Sequence, residues 1–132
     1  MKRKGMAAQY TVITLDEVEN FLKRAFRSLR PKRHIIRGEN VFDLALSSST
    51  VIRVWSSISQ SSSTGAGLGN DAIRVQLFST AKGRPLVPGK APIVKRTQGW
   101  RDNLKERIED YMEAYDSKEE AIEAGQFIDW NS

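Results

Sequence analysis

Apolar residues recur along this chain with two different periods, and the change of period divides it into elements. Between positions 14 and 31 the spacing is helical: Val18, Phe21, Leu22, Ala25, Phe26 and Leu29 fall on one stripe at about 100° per residue. Thr14-Leu15-Asp16-Glu17 reads as a capping box, in which the Thr14 hydroxyl accepts from the Glu17 amide and the Glu17 carboxylate reaches back. Pro31 disfavours helical geometry at the residue before it, so this helix is expected to end near Arg30. Lys23, Arg24, Arg27 and Arg30 take the opposite side, and Lys32, Arg33 and Arg37 carry the basic character onward.

Past position 40 the period shortens to two, the signature of half-buried strands. Residues 41–46 alternate as Phe42, Leu44 and Leu46. In 50–58, Ile52, Val54 and Ile58 oppose Val51, Arg53, Trp55 and Ser57; in 72–78, Ile73, Val75 and Leu77 oppose Arg74, Gln76 and Phe78. The triplet Ile-Arg-Val thus occurs at 52–54 and again at 73–75. Antiparallel pairing of these segments would show Arg53 and Arg74 on one sheet face. Residues 92–96 could add a fourth strand, with Pro92 suited to an edge.

The helical period then returns through Trp100, Leu104, Ile108, Tyr111, Met112 and Tyr115, with Thr97 as the expected N-cap. Ser117-Lys118-Glu119-Glu120 reads as a second capping box, opening a short helix that Gly125 ends. The order predicts an α+β fold: a three- to four-stranded antiparallel sheet with an N-terminal helix and a long C-terminal helix packed on it. Residues 1–9 read as a disordered basic arm, 10–116 as a single domain, and 117–132 as a short helix with an acidic-aromatic tail.

Composition narrows the chemistry. The 132 residues contain no cysteine and one histidine, His34, which excludes disulfides, thiol catalysis, cysteine-held zinc and multi-histidine metal centres. No apolar run approaches the roughly 20 residues of a bilayer helix, and no apolar stretch follows the basic start Met1-Lys2-Arg3-Lys4. A cytoplasmic protein with no membrane partner is therefore expected. Twenty-one Lys and Arg face sixteen Asp and Glu, giving a net charge of +5. The distribution is uneven: residues 1–37 carry ten cations and three acids, whereas 101–132 carry four and ten. A basic surface for a polyanion beside an acidic tail follows as a first reading, with mutual neutralisation across the fold as the alternative.

Two loops draw attention. Residues 59–70 (SQSSSTGAGLGN) are rich in Ser and Gly, and GAGLGND at 65–71 resembles a phosphate loop. A nucleotide-triphosphate loop follows a strand and opens a helix, whereas these glycines precede a strand and lack the Gly-Lys-Ser/Thr ending. A loop whose amides meet nucleic-acid phosphates, or a plain connection, remains. Residues 82–90 (KGRPLVPGK) read as an exposed basic arm.

The sharpest constellation is Arg53, Trp55, Arg74 and Phe78, arginines among aromatics on one sheet face. Single-strand binders stack bases on flat rings and guanidinium planes and neutralise the backbone with cations. Lys82, Arg84, Lys90, Lys95, Arg96 and Arg101 add cations that would fix position without reading sequence. These ten residues form the expected nucleic-acid site. It needs no metal or cofactor, and DNA is favoured over RNA. On this reading, reversing the charge of Arg53 and Arg74 would abolish binding and leave the melting temperature nearly unchanged.

Rival readings come from other classes. A protein-interaction or oligomerisation module would use the same exposed aromatics, and Phe127-Ile128-Asp129-Trp130 could dock on a protein or lie over the basic face. A metal-dependent nuclease would need converging carboxylates. Its candidates are Asp43, Asp71 and Glu39, with Lys95 or Arg96 as companions, but Glu39 and Asp43 are about 13 Å apart along a strand. His34, among Lys32, Arg33 and Arg37, reads as a phosphate contact or a bystander rather than a base.

IRVWSSI at 52–58, GNDAIRV at 69–75, GRPL at 83–86 and KRTQGWRDNLKERI at 95–108 together resemble a small domain of bacterial and phage sequences, sometimes joined to a topoisomerase-type zinc ribbon. The resemblance spans most of residues 10–115 and implies no activity, only the company of DNA. The ribbon's cysteines have no counterpart here.

Overall fold

The computed structural model describes residues 13–56, 72–87, 91–95 and 97–128. The expected basic arm, the Ser/Gly-rich loop with Asp71, and Lys90, Arg96, Asp129 and Trp130 lie outside the described residues.

Helix α1 (Leu15–Ala25) opens on the expected capping box, with the Glu17 amide donating to the Thr14 hydroxyl at 3.1 Å. It stops five residues early: Phe26 caps it and a 3-10 turn, Arg27–Leu29, completes the approach to Pro31. Ala25 consequently faces solvent, while Val18, Phe21, Leu22 and Phe26 are buried.

Six strands follow: β1 (Lys32–Ile36), β2 (Glu39–Ala45), β3 (Thr50–Ser56), β4 (Ala72–Ser79), β5 (Arg84–Pro85) and β6 (Ile93–Lys95). They form one antiparallel sheet in the order β1-β2-β3-β4-β5, with β6 also on the outer edge of β4. The sheet is thus larger than the expected three or four strands, because β1 and β5 escape the alternation rule. Arg37 and Gly38, with φ of 54° and 83°, close the β1–β2 hairpin in the two-residue form that suits the twist of its strands. Segment 84–87 is no exposed arm: Arg84 and Pro85 pair with β4, and Leu86 and Val87 are buried.

Helix α2 (Trp100–Ser117) and the short α3 (Glu119–Glu123) complete the fold, which is α+β as expected. Neither predicted cap forms. Gly99 precedes α2 without a side-chain bond, while Thr97 accepts the Trp100 amide through its backbone carbonyl. Ser117 is still helical, and its hydroxyl donates to the Ala114 carbonyl.

Register explains which sheet face is buried. Phe42, Leu44, Ile52, Val54, Ile73, Val75 and Leu77 point to one side and share a core with Phe21 and Leu22 of α1 and Trp100, Leu104, Ile108 and Tyr111 of α2. The rings of Phe21 and Trp100 meet edge-on at 5.7 Å between centroids, which locks the two helices together. Arg33 leans to the same side and ties β1 to α1 through Asp16 and Glu19. Ile122 and Ile128 belong to this core as well, so the C-terminal segment is continuous with it. Among the described residues, no helix is long and apolar enough to cross a membrane.

Candidate nucleic-acid interface

On the other sheet face Val41, Asp43, Val51 and Gln76 are buried, and Arg53, Trp55, Arg74 and Phe78 are half-buried. Register places Trp55 opposite Arg74, Arg53 opposite Gln76 and Val51 opposite Phe78. Arg53 and Arg74 therefore do emerge on one face, as the alternation implied. The right-handed twist of a sheet makes each face concave along one diagonal. Here a groove of about 370 Å³ runs from Ile36, Arg37 and Glu39 past Trp55 and Arg53 to Phe78 and Pro85.

The electrostatics of this face differ from a simple row of cations. Asp43 stands directly across β2–β3 from Arg53 and accepts two hydrogen bonds from it, Nε at 2.8 Å and Nη2 at 3.0 Å. His34 Nε2 lies 2.8 Å from the Asp43 carboxylate on its other side, one pleat along β1. Beneath, the Arg53 guanidinium sits 4.1 Å from the centre of the Phe78 ring. Arg53 is thus a rigid planar group, its charge largely offset by Asp43, and only 15% of its side chain is exposed. It is suited to stacking rather than to a mobile phosphate contact.

Of the remaining expected site residues, three lie beside Arg53 and the other described ones are dispersed. Trp55 and Phe78 are half-buried and line the groove. Arg74 is half-buried beside them, with a long 3.5 Å contact to the Ala91 carbonyl. Arg84 turns to the C-terminal segment, donating to the Gly125 carbonyl at 2.6 Å and stacking on the Phe127 ring. The Lys82 stem lies against Gly125, which has a φ of 76°. Lys95 lines a separate hollow between β6 and α2 with Glu106, Arg107 and Asp110. Arg101 is on the helical side, over the Trp100 ring and 3.3 Å from Glu17. Arg37 is the groove cation that the expected set lacks. Its sequence signals are the basic run Lys32, Arg33 and Arg37 and the turn Arg37-Gly38.

Of the carboxylates weighed for metal chemistry, Asp71 lies outside the described residues. Asp43 is engaged by Arg53 and His34, and no group of three potential metal ligands occurs among the described residues. Of the terminal acidic-aromatic peptide, Ile128 is buried and its amide donates to the Leu86 carbonyl, which leaves Phe127 exposed over Arg84.

At the opposite end of β2–β3, Glu123 gathers four hydroxyls: Ser47 at 2.6 Å, Ser49 at 2.7 Å, Thr50 at 2.9 Å and Tyr115 at 2.9 Å. These bonds, led by the one from Ser47, pull the Glu123 carboxyl down to about 2 against the opposing effect of burial. The cluster ties the β2–β3 hairpin to α2 and α3.

Comparison with protein families, curated proteins and solved structures finds no match to this chain.

Proposed function

We propose that the protein is a non-catalytic, cytoplasmic nucleic-acid-binding protein that takes single-stranded DNA in the groove on the sheet face opposite its helical core. The observation that carries this reading is that Trp55 and the Arg53–Phe78 stack line this groove. Unstacked bases of a single strand would find flat surfaces there, in the ring of Trp55 and the Arg53–Phe78 pair. Arg37, Lys32 and Arg74 are placed on this side to meet phosphates, and the net charge of +5 favours a polyanion. DNA is preferred to RNA on the sequence resemblance alone.

The test is a polarisation titration with a labelled oligothymidylate. Trp55→Ala is expected to weaken binding about 5- to 150-fold, the value of one lost base stack at about 1–3 kcal/mol. Unchanged affinity overturns the proposal. One observation favours protein docking instead: Ile35 is 68% exposed on the edge strand β1. Salt separates the two, because polyanion binding weakens steeply with salt and an apolar interface does not.

A further inference from the structure

A second concavity with a charged lining lies outside the groove. Asn20, Lys23, Arg24, Arg27, Arg30 and Pro31 line a hollow of about 730 Å³ where α1 gives way to the 3-10 turn. Lys23 is offset by Glu19 at 3.0 Å. Among the described residues, no carboxylate lies within ion-pair distance of Arg24, Arg27 or Arg30. Cations at a helix C-terminus answer the helix dipole, which accounts for Lys23 and Arg24 in the last turn of α1. It does not account for Arg27 and Arg30, which lie beyond that helix. Arg30 moreover adopts a left-handed backbone, φ 50°, where glycine or asparagine is less strained.

Arg30 and Lys32 flank Pro31, and Lys32 pairs with Asp43, which places it on the groove side at the sheet edge. We infer that Arg24, Arg27 and Arg30 bind the phosphodiester backbone of a nucleic-acid strand that leaves the groove around β1, so that a long oligonucleotide occupies both surfaces. This inference rests on the groove reading for the path of the strand, though not for the phosphate chemistry of the hollow. A concave site accepts a narrow chain of phosphates, whereas a flat bilayer surface would meet only its rim.

The test compares oligothymidylates of about 6 and about 20 nucleotides, spanning single-domain site sizes, on the full chain. The variant joins Arg24→Gln and Arg27→Gln with Arg30→Asn, the last chosen because asparagine tolerates a left-handed backbone. Expected is unchanged affinity for the short oligonucleotide and a loss of about tenfold for the long one. The salt dependence of the long complex should fall by about 2 in log–log slope, from three lost contacts at about 0.7 each. Wild-type affinity and slope for the long oligonucleotide overturn the inference. So does capture of the wild type, but not of the variant, by phosphatidylserine vesicles when oligonucleotide affinity is unaltered.

Trp55→Ala, measured in parallel, separates the two claims. If it leaves both lengths unaffected while the arginine variant still weakens the long one, the groove reading fails and the hollow stands as a phosphate site. Circular dichroism melts of each variant establish that it is folded.

Discussion

Asp43 and Arg53 occupy register-paired positions on β2 and β3 and are joined by two hydrogen bonds on the sheet face opposite the helical core. Both side chains are mostly buried, at 11% and 15% exposed, so removing either leaves the other desolvated without its counterion. Asp43→Ala is expected to lower unfolding stability by about 2 kcal/mol, read from the denaturant midpoint. Arg53→Glu would set two carboxylates face to face and cost at least as much. Joint charge reversal of Arg53 and Arg74 would therefore lower the melting temperature instead of sparing it, which makes Trp55→Ala the cleaner probe of binding.

Acid should loosen the junction around Glu123. Its folded carboxyl, held at about 2 by the Ser47, Ser49, Tyr115 and Thr50 hydroxyls, lies below the ordinary 4.5 of an unfolded glutamate. The sign follows: the contribution is complete above about 4.5 and disappears as pH falls towards 2. Glu123→Gln should melt below the wild type at neutral pH, with the difference shrinking steadily between pH 4.5 and 2 in thermal melts.

Gly125 bears a strict backbone demand. Its φ of 76° strains any side chain, and an added Cβ would come within 2.6 Å of the Lys82 stem. Gly125→Ala is expected to cost about 1 kcal/mol or slightly more, a fall of roughly 4 °C in melting temperature. Gly38, with a similar φ of 83° but open space around it, should show the backbone cost alone.

The cation over Phe127 should be structural. Arg84→Ala removes the bond to Gly125 and the ring contact together. It is expected to lower the melting temperature while leaving the salt slope of oligonucleotide binding as it was. A reduced slope would return Arg84 to the binding surface.

Where alternation was clean, the sequence was a good guide. Ile52 and Val54 against Arg53 and Trp55, and Ile73, Val75 and Leu77 against Arg74 and Gln76, put every one of these residues on its observed face. Lys32-Arg33-His34-Ile35-Ile36 offered no such pattern, because an edge strand with Ile35 in solvent and Arg33 bonded to α1 needs none. The partner of Arg53 was illegible for a different reason. Along its own strand Asp43 offers only Glu39 as a neighbouring carboxylate, yet its chemistry comes from across the sheet. Such contacts depend on register, which the alternation of a single strand does not specify.

The bond from the Ile128 amide to the Leu86 carbonyl spans more than forty positions in the chain, and Ile128 itself fills part of the core. A nascent polypeptide that has not yet released this segment from the ribosome lacks both that stitch and the Glu123 junction. The core should thus be completed only once residues 119–128 have emerged, with the sheet margin at Leu86 left open to chaperones until then.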